Sequence, residues 1–485
     1  MRLAGQGLRW ASRRRGPALV AVSACLILAL ATPAGALAHG IAGRTDLPLP
    51  RWLFAWAAAV VLIASFIALA SMWPRPRLEY ARSRVLARVP GALQPLCGGV
   101  GIALFALVVW AGFEGEQELP TANITPTFIF VLFWVGIPFA SVLFGDVFRV
   151  FSPWRAFARA VSWTAGRLRH GRRPVAPFAY PRWLGRWPAA AGVIGFAWLE
   201  LIYVERDRPS TLALLSLGYA VVMLVGMGLY GIETWSTRGD AFGVAFNLFG
   251  RLSPLDWREK RLEARLPLAG VVHLERMAGT VGMLAAMIGS TSFDGLQQGL
   301  PWMNTLAPEL QSFFSGLGLG PTPAAELAGT VGLLAMWGFV AGFYRLGIRG
   351  MQSIDPRMSA RFLAGRFVHT LTPIAAAYVM AHYFSLLVWQ SQATVYLISD
   401  PLGHGWNLFG TANYVIDYSV LTPNSIWYFQ VAVLLTGHVC GLALAHDRAL
   451  VLYPDPRDAV RSQYWMLVVM VGFTCLGLWL LSAAS

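Results

Sequence analysis

Apolar segments of about twenty residues recur along the whole chain, and each is long enough to cross the hydrocarbon core of a bilayer. Hydrophobic residues make up 56% of the 485 positions and charged residues only 13%, too few to cover a water-soluble surface. Because a segment inside lipid must satisfy its own backbone hydrogen bonds, each one is predicted to be a helix. The sequence therefore predicts an all-α, polytopic membrane helix bundle, a single membrane domain over residues 39–485 with about ten transmembrane helices. The predicted spans are Trp52–Trp73, Leu96–Phe113, Phe128–Val147, Pro188–Val204, Thr211–Tyr230, Pro267–Gly289, Ala325–Phe343, Phe367–Trp389, Ile426–Ala445 and Ser462–Leu481.

Residues 1–38 have the pattern of a cleavable bacterial secretory signal peptide. Arginines between positions 9 and 15 precede an apolar run over residues 17–31, and Ala36-Leu37-Ala38 is a small-residue cleavage pattern. The alternative is an uncleaved first helix. Cleavage would make His39 the amino terminus, where the amine and the imidazole together can chelate copper or another borderline metal.

Arginine and lysine are distributed unequally between the two sides of the predicted bundle. With residue 39 outside, the inner connections hold 28 of the 38 basic residues and the outer connections hold 4. This asymmetry follows the positive-inside rule, so it predicts a bacterial inner-membrane protein with both mature termini outside. The net charge of +14 is thereby explained by topology, and the bilayer, not nucleic acid, is the expected partner.

Two long connections on the predicted outer side, residues 290–326 and 390–425, contain no Arg or Lys. They are rich in Gly, Pro and aromatic residues, and they carry Asp294, Asp400 and His404. Segments this apolar are expected to fold back over the outer mouth of the bundle as re-entrant or interfacial turns. The alternative is that their aromatic residues form the interfacial belt.

Histidines lie inside two of the predicted spans. In Phe367–Trp389, Tyr378 and His382 belong to a polar stripe at helical spacing, and such a stripe is expected to face the bundle interior. His438 lies near the middle of Ile426–Ala445, whose small residues allow close helix approach. If the two helices touch, His382 and His438 could share a metal, a haem or a proton path. An interhelical hydrogen bond is the simpler alternative.

Other ionisable residues also fall within predicted spans. His273, Glu275 and Arg276 lie in Pro267–Gly289 and are expected to pair with groups on other helices. Glu200 lies near the outer end of its span and is expected either to snorkel or to meet the outer cavity. A phosphate-binding loop and the HExxH and GxSxG motifs are absent from the sequence, which disfavours a nucleotide-driven pump and a serine hydrolase.

Several short motifs occur in order along the chain. They are His39-Gly40-Ile41-Ala42-Gly43-Arg44-Thr45-Asp46, Ser292-Phe293-Asp294-Gly295, Ala381-His382-Tyr383-Phe384-Ser385, Ser399-Asp400-Pro401, Gly437-His438-Val439, Ala445-His446 and Arg448-Ala449-Leu450. In these motifs the chain resembles the bacterial multi-pass membrane proteins known as fenitrothion hydrolases, over nearly its whole length from His39. The resemblance implies hydrolysis of organophosphates, but it assigns no catalytic role to a particular residue.

The hydrolase hypothesis requires a group that makes water nucleophilic at neutral pH, and a metal held by histidines and carboxylates is the usual device. We therefore expect a divalent metal ion in an outward-facing His/Asp pocket that receives a lipophilic small molecule through the bilayer. The expected catalytic residues are His382, Asp294 and Asp400. The expected metal ligands are His382, His438, His39 and His404.

Two other functions fit the same residues. The first is a transporter or channel for an ion or small molecule, with buried histidines, Glu200 and Glu275 along its path. The second is a membrane haem or copper protein that uses bis-histidine ligation.

Overall fold

Ten long helices form the bundle of the computed structural model, which describes residues 51–168, 170, 175–258 and 260–483. The predicted signal peptide and His39 lie outside the described residues. We number the long helices in chain order. They are α1 (Arg51–Met72), α2 (Leu93–Glu114), α3 (Ile124–Phe144), α4 (Trp187–Leu201), α5 (Pro209–Tyr230), α6 (Thr280–Gln297), α7 (Pro321–Gln352), α8 (Leu371–Gln390), α9 (Pro423–Leu452) and α10 (Tyr464–Ala483).

In the described part of the chain, eight helices are long and apolar enough to cross a membrane. These are all of the long helices except α4, which is apolar but shorter, and α6, which carries polar residues in its second half. The prediction of an all-α, multi-pass membrane protein is confirmed.

Shorter elements connect the long helices. Three strands, β1 (Arg84–Arg88), β2 (Leu255–Arg258) and β3 (Arg261–Ala264), form a small antiparallel sheet in the order β1-β3-β2. A π-helical stretch, Thr127–Gly136, forms the middle of α3. The shorter helices are Phe148–Phe151, Pro153–Leu168, Ile232–Arg238, Ala241–Gly250, Ala269–Val272, Ala307–Gly316, Ala360–Phe367, Ala393–Leu397 and Pro456–Ser462.

Connections rich in arginine meet at one end of the bundle, which we call the arginine-rich end. Strand β1, between α1 and α2, pairs with β3, which lies between α5 and α6. Asp447 of α9 accepts hydrogen bonds from Trp73 Nε1 and from the backbone N–H groups of residues 77–79. Arg448 forms an ion pair with Glu79 at 3.1 Å. These contacts agree with the grouping of basic connections that the positive-inside rule predicts.

Helices α8 and α9 pack closely along each other. A Cβ atom added at Gly437 would lie 2.3 Å from Cβ of Ala377 and 2.8 Å from the carbonyl oxygen of Pro373. At Gly441, it would lie 3.0 Å from the carbonyl oxygen of Thr370. The close helix approach that the small residues predict is therefore present.

The boundaries predicted for the helix over residues 267–289 are wrong. Helix α6 begins at Thr280, directly after Gly279, whose φ of +77° is one that other residues rarely adopt. The residues just before Gly279 are not helical, and the side chain of Glu275 there is 64% exposed. Glu275 and Arg276 therefore lie outside the helix, which ends at Gln297.

This shift places part of the predicted outer loop 290–326 on a helix. Asp294 belongs to the last turns of α6. A π-helical turn, Trp302–Leu306, and the helix Ala307–Gly316 follow, so the segment is helical over most of its length. The prediction of a long loop that begins at residue 290 is wrong because α6 ends at Gln297, eight residues later than the predicted helix.

The second predicted outer loop, residues 390–425, folds against the ends of α2 and α3. The backbone N–H of Glu116 donates to the carbonyl oxygen of Leu402 at 2.7 Å. The N–H of Ile124 donates to the carbonyl oxygen of Pro401 at 3.1 Å. The segment is therefore tied to the bundle end opposite the arginine-rich end.

Candidate functional site

An aspartate and a histidine from two helices form a buried pair. Asp294 lies on α6 and His382 on α8, and these helices pack against each other. Nε2 of His382 lies 2.7 Å from Oδ2 of Asp294, and the two side chains are 13% and 10% exposed. An ionised carboxylate only accepts hydrogen bonds, so Nε2 carries the hydrogen and donates it. Helix α6 supplies this partner only because it continues past residue 289.

Two glutamines hold the other oxygen of Asp294. The side-chain amides of Gln297 and Gln298 each donate to Oδ1 at 3.2 Å. They follow Asp294 by three and four positions, the spacing that brings side chains together on a helix. Both carboxylate oxygens therefore have donors, which fixes the orientation of the carboxylate toward the imidazole.

A small cavity adjoins His382. Its volume of about 10 Å³ is enough for one water molecule. Within the described part of the chain, Nδ1 of His382 has no hydrogen-bond partner, and neither has the buried Oγ of Ser292, which also lines the cavity. Thr291 and Tyr378 also line the cavity, but their hydroxyl groups already donate to the carbonyl oxygens of Met287 and Phe473, so toward a water they could only accept. The cavity therefore offers the several polar partners that a buried water requires.

A second carboxyl group lies next to the pair. Glu200 of α4 lies beside the hydroxyl of Tyr383 and the indole of Trp134, and its charge interacts with that of Asp294. Among the described residues, Nε1 of Trp134 makes no hydrogen bond of good geometry, so this neighbour is the looser of the two. Trp134 belongs to the π-helical stretch of α3, and such stretches are frequent at functional sites. Glu200 lines neither of the two cavities described here, so its expected place at an outer cavity stays a prediction.

His438 lines a different cavity from His382. The residue is fully buried on α9, and its Nδ1 donates to the carbonyl oxygen of Leu434 at 2.8 Å. Its cavity has a volume of about 50 Å³. Tyr378, which lines the first cavity, contacts His438 with 6.0 Å between ring centroids. The two helices touch, but the two imidazoles line different cavities.

Asp400 and His404 form a turn in the segment that folds over α2 and α3. The carboxylate of Asp400 accepts from the backbone N–H of His404 at 2.9 Å and from that of Gly405 at 2.7 Å. Nε2 of His404 lies 3.1 Å from the carbonyl oxygen of Glu114. The structure therefore gives both residues local contacts that hold the segment in place, and it does not bring them to Asp294.

Among the described residues, the side chains expected to bind a divalent metal do not come together. In the residues that the structure describes, no three His, Cys, Asp or Glu side chains form a group that could hold a metal ion. His382 is engaged with Asp294, while His438 and His404 lie at other places, and His39 falls outside the described residues. The arrangement at Asp294 is therefore that of a carboxylate–imidazole pair and does not fit a multi-ligand metal centre.

Sequence reasoning missed Gln297, Gln298 and Tyr383 as members of the site. Gln297 and Gln298 lie three and four positions after Asp294, so helical spacing could have identified them. Tyr383 adjoins His382 in the sequence, and neighbouring residues on a helix do not share a face, so spacing gives no signal for it. The two glutamines were missed because the helix was predicted to end before Asp294.

The fold and the site define the chain as a multi-pass helical membrane protein with a buried carboxylate–imidazole pair. Comparisons with protein-family models, with curated proteins and with solved structures found no match. The functional argument therefore rests on the geometry of the site.

Proposed function

We propose that the protein is a membrane hydrolase in which His382 acts as a general base and Asp294 orients it. The observation that carries the proposal is the 2.7 Å contact between Nε2 and Oδ2, next to a cavity of one-water size. A carboxylate at one ring nitrogen fixes the tautomer and leaves the other nitrogen basic. The same carboxylate stabilises the imidazolium that forms when the base accepts a proton.

The substrate class follows from the resemblance to fenitrothion hydrolases, so we propose a lipophilic phosphotriester with an aryl leaving group. A water oxygen attacks phosphorus while its proton passes to Nδ1 of His382. The bond between phosphorus and the aryl oxygen breaks, and the aryloxide leaves with the electron pair. The proton is then returned from His382 to the aryloxide or to solvent. Ser292 lines the cavity and its buried Oγ has no hydrogen-bond partner among the described residues, so its hydroxyl can donate a hydrogen bond to the developing negative charge.

Substrate access requires movement, because the cavity beside His382 holds a water molecule but not a phosphotriester. Two short elements follow α6 directly at this end, the turn Trp302–Leu306 and the helix Ala307–Gly316. Phe313 on that helix is well exposed, as expected for a residue that contacts lipid. A lipophilic substrate would reach the pair from the bilayer by displacing these segments.

The proposed chemistry needs no metal, since the donors around Asp294 do not form a metal-binding group in the described part of the chain. Treatment with a chelator should therefore leave the hydrolytic rate unchanged. A rate that falls on chelation and returns with a divalent ion would contradict this part of the proposal.

The test is hydrolysis of a nitrophenyl phosphotriester by the detergent-purified, full-length protein. His382→Gln should lower the rate by roughly 10²- to 10⁴-fold, the usual contribution of a general base. His404→Gln, in the segment over α2 and α3, is the matched control and should leave the rate unchanged. If the parent and His382→Gln proteins hydrolyse the ester equally, the proposal fails.

A second candidate function, proton-coupled transport of a small molecule, is favoured by Glu200. This carboxyl group lies on α4 beside Tyr383 and near Asp294, so acidic groups of two helices lie close together inside the bundle, and one of them contacts His382. Ionisable groups in that position are typical of proton relays. Protein in liposomes carrying a pH gradient should then show substrate-dependent proton flux that Glu200→Gln abolishes. Absence of flux, combined with hydrolysis in detergent, would exclude transport.

A further inference from the structure

The second cavity, which His438 lines, shares no lining residue with the cavity beside His382. Side chains from five helices, α6 to α10, line or flank it, and most of them are apolar. Its two hydroxyl groups are already occupied as donors, because Thr370 donates to the carbonyl oxygen of Phe367 and Tyr344 to that of Ala364. His438 is the remaining polar group in the lining. The hydrolysis proposed above makes no use of this cavity.

The imidazole of His438 is arranged as a metal ligand. Because Nδ1 donates its hydrogen to the carbonyl oxygen of Leu434 at 2.8 Å, Nε2 carries the lone pair. Nε2 is buried and has no hydrogen-bond partner among the described residues. A hydrogen bond from one ring nitrogen to a backbone carbonyl, with the other nitrogen free, is the usual arrangement of a histidine that binds a metal. A buried nitrogen without a partner is otherwise costly.

Two thioethers line the same cavity. Met466 and Met470 lie four positions apart on α10, so they occupy one face of that helix, and both are 5% exposed. The Sδ atom of Met466 packs near Gly347 of α7, and the three rotatable bonds of a methionine side chain let it turn toward the cavity. No carboxylate belongs to the lining that the structure describes. The set of donors is therefore soft and uncharged.

We propose that this cavity is a binding site for Cu(I), held by Nε2 of His438 and the sulfur atoms of Met466 and Met470. Thioether sulfur and imidazole nitrogen are ligands that select Cu(I), whereas Mg²⁺ and Ca²⁺ prefer carboxylate and carbonyl oxygens. A single positive charge also costs less to bury among neutral ligands than a double charge does. This site does not include Asp294 or His382, so a test of Cu(I) binding is independent of a test of the proposed hydrolysis.

The test is anaerobic titration of the full-length, detergent-purified protein with Cu(I) against a chromogenic competitor. One ion should bind per chain, and X-ray absorption of the loaded protein should show sulfur and nitrogen scatterers together. The double variant Met466→Leu/Met470→Leu, which conserves side-chain volume, should weaken binding at least about tenfold. His438→Leu should weaken it at least as much.

Matched controls separate this site from the rest of the protein. Met227→Leu, at a buried methionine of α5, and His382→Gln should both keep the affinity of the parent for Cu(I). The proposal is overturned if the parent binds no Cu(I), if the methionine double variant binds it as tightly as the parent, or if the absorption spectrum shows only nitrogen and oxygen ligands.

Discussion

Oδ2 of Asp294 and Nε2 of His382 are 2.7 Å apart although the residues are 88 positions apart in the sequence. The contact joins α6 to α8, and both side chains are nearly buried. Removing one partner would leave the other without its hydrogen bond in a largely desolvated place, which is destabilising in itself. Substitutions that keep the shape of the side chain are therefore needed to separate chemistry from packing.

Asp294→Asn tests the role of the carboxylate charge. Asparagine has nearly the same shape and keeps an oxygen that can accept from His382, but it cannot stabilise an imidazolium. We expect hydrolysis of a nitrophenyl phosphotriester to fall by about 10²-fold or more, with an unchanged circular dichroism spectrum. Asp400→Asn, in the turn beside His404, serves as the control and should hydrolyse the ester at the parental rate. Equal rates for the parent and Asp294→Asn proteins would rule out a general-base role for the pair.

Gly437→Ala tests the close approach of α8 and α9. The new Cβ would lie 2.3 Å from Cβ of Ala377, so the helices must separate, and overpacking of this kind costs about 1–3 kcal/mol. We expect a lower melting temperature in detergent. Gly338→Ala on α7 is matched in chemistry, but its Cβ meets no atom within 4 Å, so it should not destabilise the protein. Equal melting temperatures for the two variants would contradict the packing described for Gly437.

Asp447→Asn tests how the arginine-rich end is held together. The buried carboxylate accepts from Trp73 Nε1 and from the N–H groups of residues 77–79, the shortest at 2.6 Å. An amide group would turn an N–H toward these donors and leave at least one unpaired, at a cost of about 1–3 kcal/mol. Trypsin should then cleave the α1–α2 connection faster than in the parent. Asp458→Asn, at a half-buried position that accepts none of these hydrogen bonds, should show the parental cleavage rate. The same rate in Asp447→Asn would refute the anchoring role.

Glu233 makes the stability of the arginine-rich end depend on pH. Burial alone would raise the pKa of Glu233, but the charges of Arg155, Arg159 and Arg149 outweigh it and lower the pKa from the ordinary 4.5 to about 2. The folded pKa lies below the unfolded one, so the stabilisation is present above pH 4.5 and is lost as the pH falls toward 2. Because the side chain is half exposed, solvent screening limits it to about 1 kcal/mol.

Melting temperatures of the parent and Glu233→Gln proteins measure this effect. The parent should be more stable near neutral pH, and the difference should shrink as the pH falls below 4.5. Glu309→Gln, at an exposed site away from these arginines, controls for the loss of a surface charge. A difference that stays constant down to acidic pH would show that the arginines do not hold Glu233 in its charged form.

The sequence predicted the long helices well where an apolar run has clear ends. It failed at α6 because residues 267–279 are partly apolar, while the left-handed backbone conformations of Leu268 and Gly279 leave no sign in a hydropathy pattern. His382 was identified from its place in a polar stripe, since periodicity is local information. Its contact with Asp294 depends on the start of α6 and on how two distant helices pack, and neither can be read from the spacing of residues.

The sheet at the arginine-rich end has a consequence for biosynthesis. Arg84 of β1 pairs with Ala264 of β3, so helices α1 and α2 leave the ribosome long before the partner strand exists. Until β3 has been synthesised, the backbone groups of the connection between α1 and α2 are hydrogen-bonded to water. The backbone N–H groups of residues 77–79 find their partner only later, when Asp447 has been synthesised. Closure of this end is therefore among the last steps of assembly, and a chain that stops before α9 is complete would be inserted in the membrane with that end still open.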